Sequence, residues 1–140
     1  MMKNTIYTVI LLFAATLMAN AQNVEFKESN FKDKKDELKK AKEAIKKGED
    51  FMKKGNALIL ETKDPGDNFE AAIFYFLKAQ QLNPNNAELN FNLANSYLYT
   101  NEKYKAKDHL LKAEKLDPNV DRKLDLFLGM MYQLEGDWDQ

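Results

Sequence analysis

The chain repeats itself at a spacing of 34 residues, and this restricts its fold more than any other feature. Pro84 and Pro118 stand 34 positions apart, as do Ala79 and Ala113, and Ala72 and Ala106. The octapeptides at residues 77–84 and 111–118 agree in five of eight places. Self-similarity at such a period means one supersecondary unit used again, each copy burying its apolar face on the next. The content of the unit follows from its punctuation. Polar turns rich in Asn, Asp, Pro and Gly fall at residues 61–68, 83–86 and 117–119, separated by segments of helical length. Apolar residues inside those segments recur at helical offsets, with no period-two alternation. The fold class is therefore all-α: helix, turn, helix, turn.

The positions that recur have a residue type with a physical reason. Ala72, Ala94, Ala106, Ala113 and Gly129 are small where two helices must come close, and Phe76, Tyr97 and Leu110 fill the space between units. In the second unit Leu93, Ala94 and Tyr97 are followed by Ala106, Leu110, Ala113 and Pro118. A third unit opens with Leu128, Gly129 and Tyr132, then Gly136, Asp137 and Trp138. The first is looser, with Gly48 and Phe51 before Phe69, Ala72, Phe76, Ala79 and Pro84, and about 12 extra residues between. These motifs resemble the tetratricopeptide repeat family, whose unit is a pair of antiparallel helices. The resemblance implies an α-solenoid of about two and a half repeats, at residues 41–84, 87–120 and 122–140, the last cut short. Its missing second helix reads either as the edge of a fragment or as a cap made by residues 124–134.

Ahead of the repeats lie two segments of different character. Residues 1–21 have a charged start at Lys3, an uncharged apolar run at residues 6–17 and a small-x-small ending at Ala19 and Ala21. This is the pattern of a cleaved export signal, and the apolar run is too short to cross a bilayer. Residues 22–31 read as a flexible leader, and residues 32–140 as the repeat domain. A helix is expected from Lys32 to Lys54 with an apolar stripe of Leu38, Ala41, Ile45 and Met52. Its surplus of lysine fits either a solvated face of mixed-sign pairs or a patch for anionic lipid or an acidic partner.

Composition removes whole classes of function. There is no cysteine, so no disulfide, thiolate metal site, thiol nucleophile or lipid-modified N-terminal cysteine. The single histidine, His109, is expected on the surface, and no second one exists to build a metal site. The five glycines are scattered and form no phosphate loop. A net charge of −1 gives no general pull toward nucleic acid. No cofactor, no metal and no enzymatic activity are expected.

What the family resemblance implies is a concave groove for a protein or peptide ligand, lined by first helices. Its residues here would be Glu88, Phe91, Asn92, Asn95, Leu98 and Tyr99 from unit two, and Lys123, Leu126, Met130 and Gln133 from unit three. Asn92 and Lys123 also match two positions of the family's carboxylate clamp, while Ile45, Glu49 and Phe127 depart from the rest. An export signal before such repeats is similar to the start of Bacteroidota envelope proteins, where repeats precede a β-propeller and an OmpA-like peptidoglycan-binding domain. Some of those proteins serve secretion or gliding machinery. The expected location is the periplasm or the outer membrane, with membrane or cell-wall association only through C-terminal domains this chain lacks. If the signal is cut, intact-mass analysis of envelope material will find the mature protein starting at Gln22. Full-length chain retained in the cytosol would overturn that expectation.

Overall fold

A computed structural model describes residues 22–136, so the export-signal reading of residues 1–21 and Trp138 lie outside the described residues. Within that span there are five α-helices: α1 (Lys35–Leu60), α2 (Asn68–Leu82), α3 (Ala87–Tyr97), α4 (Ala106–Leu116) and α5 (Leu124–Gly136). A short 3-10 turn, Glu28–Asn30, precedes α1 and another, Lys103–Lys105, lies between α3 and α4, and no strand occurs among the described residues. The architecture is the all-α helical repeat expected from the 34-residue spacing: α1 pairs with α2, α3 with α4, and α5 opens the third unit.

Close approach holds the first pair together. A Cβ on Gly48 would lie 2.5 Å from the Phe76 ring, and one on Gly55 would lie 2.8 Å from the Phe69 ring. As the α1 position rises by seven the α2 position falls by seven, so the helices run antiparallel. Both phenylalanines are wholly buried, and their rings fill the notches that the two glycines leave in α1. The same sense continues onward. Phe69 stacks on Tyr99 at 4.6 Å between centroids, while at the other end of α2 the Gln80 amide donates to Asn90 at 3.2 Å. Ala72, Ala79, Ala94, Ala106 and Ala113 are fully buried at the helix seams, as their size requires.

The sequence left the roughly 12 residues after Asn56 open as either more helix or a loop. They do both: α1 continues to Leu60, beyond the expected end at Lys54, and a loop then leads to α2. Thr62 and Gly66 both take left-handed backbone there, with φ of 57° and 56°. Asp67 stands at the N-cap of α2, but its side chain makes no capping bond. Asp64 instead accepts from the Gly66 N–H at 2.9 Å, and Asn68 donates to the Pro65 carbonyl.

In α5 the buried residues are Leu124, Phe127, Leu128 and Met131. Gly129 and Tyr132 are exposed, although Ala94 and Tyr97, their counterparts in α3, are buried. The difference has a clear origin. Tyr97 is covered by α4, stacking on His109 at 5.6 Å, and unit three has no second helix among the described residues.

The leader corrects an expectation. It is not a free tail: Val24, Asn23 and Phe26 are seated on the repeat units, the first two by hydrogen bonds and the third by packing. His109 is corrected as well. It is half-buried between Tyr97 and Asn90, because its position on α4 faces α3 and not solvent.

Substitution at the seams should separate packing from surface. Ala113→Leu should cost about 1–3 kcal/mol by overpacking, and Gly48→Ala should also destabilise despite its better helix propensity. Glu114→Leu, on the exposed face of the same helix, should be near neutral. Urea melts of the three variants read this directly, and equal losses would mean that the helix pairing is misassigned.

Candidate functional site

A cleft of about 590 Å³ opens between α1 and α3 and is the place where the two units present a shared concave surface. Its apolar floor is Ile45, Leu89 and Val120, with Phe26 of the leader against it. Lys42 and Lys46 rise from α1, and Glu49 and Glu88 face each other from α1 and α3. Asn92 adds an amide, and Asp117 closes one end. Partial burial raises the Glu49 carboxyl above the ordinary glutamate range, and the neighbouring charges of Glu88 and Asp50 push it further in the same direction.

One end of this cleft is built by the turn at residues 83–86. Asn86 caps α3, its side-chain oxygen accepting from the Leu89 N–H at 2.8 Å. Asn83 accepts from the Asn85 N–H at 3.2 Å and so closes the turn. With both oxygens used locally, both amide nitrogens point outward to one acceptor, the Val24 carbonyl, at 2.7 and 2.9 Å. The Val24 N–H donates to the Asn85 carbonyl at 2.7 Å, and the Ala87 N–H donates to the Asn23 side chain at 2.9 Å. An extended stretch of main chain is thereby held at the mouth of the cleft.

Behind the turn lies Asn90, fully buried in the middle of the molecule. Its amide nitrogen donates to the carbonyls of Pro84 and Asn86 at 3.0 and 2.8 Å. Its oxygen can then only accept, and it does so from Gln80 at 3.2 Å and from His109 Nδ1 at 3.1 Å. This fixes the imidazole proton on Nδ1. Burial lowers the His109 pKa, Lys112 adds to the lowering, and Asp108 opposes it.

Of the residues expected to line a groove, the structure brings only Glu88 and Asn92 into the cleft. Phe91 is corrected: it is buried and stacks on Phe127 at 5.8 Å, joining unit two to unit three. Asn95 turns toward α1, its amide 3.5 Å from the Met52 sulfur. Leu98 packs against the core, and Tyr99 lies on Phe69 with its other face exposed. Lys123, Leu126, Met130 and Gln133 are all exposed on or beside α5, away from the cleft. Of the cleft residues, Ile45 was noticed in the sequence as part of the apolar stripe and as a departure from the clamp, and Glu49 only as such a departure. Phe26, Lys42, Lys46 and Val120 were missed, and the helical offset of Lys42, Ile45, Lys46 and Glu49 was the available signal. The clamp itself is not assembled, since Lys123 stands outside the cleft and Phe127 is buried.

The raised Glu49 pKa has a consequence with a definite sign. A carboxyl that holds its proton more tightly when folded makes stability fall as pH rises from the ordinary glutamate value through the folded one. Glu49→Gln should therefore raise the melting temperature at pH 7 relative to the parent and leave it unchanged below about pH 4. Calorimetry at the two pH values checks this, and an equal shift at both would mean that charge is not the cause.

Two successive stretches of the chain, residues 57–86 and 87–120, match the family model described as tetratricopeptide repeat. The first match opens in the last turn of α1 and runs through α2, and the second spans α3 and α4. No curated protein and no solved structure gives a match to the chain. Residues 57–120 thus carry tetratricopeptide-type repeats, the family in which protein–protein interaction is the general activity.

Proposed function

We propose that the cleft between α1 and α3 binds an extended segment of a partner protein, and that the protein is an exported scaffold of the bacterial cell envelope. The observation that carries the reading is the cleft itself. Its walls come from two different repeat units, and it combines an apolar floor with amide and charged side chains at its rim. Such a lining suits a peptide. Ile45, Leu89 and Val120 take apolar side chains, and Asn92 can pair with main chain of any sequence. The facing carboxylates of Glu49 and Glu88 favour a basic residue at the middle of the bound segment, because a cation there relieves their mutual repulsion. The match to a family that generally mediates protein–protein contact supports a binding role over a catalytic one. The envelope location rests on the export pattern of residues 1–21.

The test is differential capture. Bait carrying Asn92→Ala with Glu88→Lys should lose its envelope partners by about tenfold, the effect of about 1.4 kcal/mol. Bait carrying Lys123→Ala with Met130→Ala should retain them, since those positions lie outside the cleft. The reverse pattern would move the binding surface to α5 and overturn this reading.

A further inference from the structure

The Asn83 and Asn86 turn does more than a turn requires. The equivalent turn between units two and three carries Asp117 and Asp121 in place of the two asparagines. There Asp117 accepts from the Asn119 N–H at 2.9 Å, and Asp121 accepts from the Lys123 N–H at 2.8 Å. A carboxylate thus closes this kind of turn at residue 117 without any amide, and an aspartate oxygen can also accept at a helix N-cap. The two amide N–H donors at residues 83 and 86 are surplus to folding, and both are spent on one carbonyl, that of Val24. Asn83 and Asn86 are themselves buried, 3% and 8% exposed, so the donors are fixed in place. Two fixed donors converging on a carbonyl, beside an acceptor for the same residue's N–H, make a receptor for extended main chain.

The geometry points to a peptide-binding site at this turn, specific for an extended segment of the pattern Asx, any, any, aromatic, which the chain's own leader occupies and from which a partner peptide of that pattern displaces it. Each part of the pattern has a contact. The Asn23 oxygen accepts from Ala87 at the start of α3. Val24 is recognised through its N–H and carbonyl alone. The Glu25 side chain pairs with Lys27 and not with the receptor. Phe26 seats its ring over the apolar floor of the cleft and stacks on Phe31 at 6.1 Å. None of these contacts depends on the leader being covalently joined to the units. The inference rests on the cleft reading, because Phe26 takes up part of the space a cleft ligand would use.

The experiment uses the full chain and a fluorescent peptide with the leader sequence of residues 22–31. Val24→Pro removes the N–H that donates to Asn85 and unseats the leader in cis. This variant should bind the peptide about tenfold more tightly than the parent chain, whose site is filled. Adding Asn83→Asp with Asn86→Asp should return binding to the parent level without loss of helix content, since Asp117 already closes the sister turn and aspartate caps a helix as well as asparagine does. A peptide N-methylated at the valine should fail to bind, which tests the site with no change to the protein. Equal binding by the parent and Val24→Pro chains, or binding that survives both aspartates, would overturn the proposal. Partner capture that still depends on Asn92 while the peptide fails would remove this inference alone. Peptide exchange without Asn92-dependent capture would remove the wider cleft reading alone.

Discussion

One buried amide sets the relation between the two complete units. Asn90 projects from α3 to where α2, α4 and the turn at residues 83–86 meet, and its side chain hydrogen-bonds polar groups from all three. A buried amide left unpaired costs far more than a satisfied one contributes, so the surrounding helices have little freedom to slide. A shift of α2 by one residue would take Gln80 from it. A rotation of α4 would take His109. The apolar seam of alanines and phenylalanines supplies the adhesion, and Asn90 supplies the register.

The repeat period told which helices exist and which of their faces are apolar. It could not tell which neighbour covers each face. Phe91 is apolar and sits on a first helix, so it was compatible with a ligand contact or with packing against the next unit, and stacking on Phe127 decides for the second. His109 follows a charged residue and looked solvated, yet its ring is the partner that Asn90 and Tyr97 need. The turn before unit three is one residue longer than the period, since Asn86 and Asp121 stand 35 apart. With it, α5 begins three residues after Asp121, where α3 begins directly after Asn86. Of the residues the family pattern assigned to the groove, Glu88 and Asn92 of unit two line the cleft, and Lys123, Leu126, Met130 and Gln133 of unit three do not.

The leader was the least legible part. Its docking uses the main chain of Val24, and main-chain hydrogen bonds leave no mark in the identity of the residue that makes them. What was visible was the other half, a turn with asparagines where its sister turn has aspartates. The difference between an amide and a carboxylate at those two places matters little to the helix that follows. It matters to whatever lies outside, because only the amide can donate.

A stack of repeats ordinarily has contacts only between neighbours in sequence, and this gives such proteins a low contact order. The leader breaks that rule, reaching across 59 to 64 residues to the turn and the first residue of α3. Its seat does not exist until α2 and α3 are in place, so the leader's contact follows their pairing. The order of events is thus written into the chain's connectivity. Ring closure over α1 and α2 joins the N-terminal end to the middle of the array, and an open ladder of helices becomes a loop.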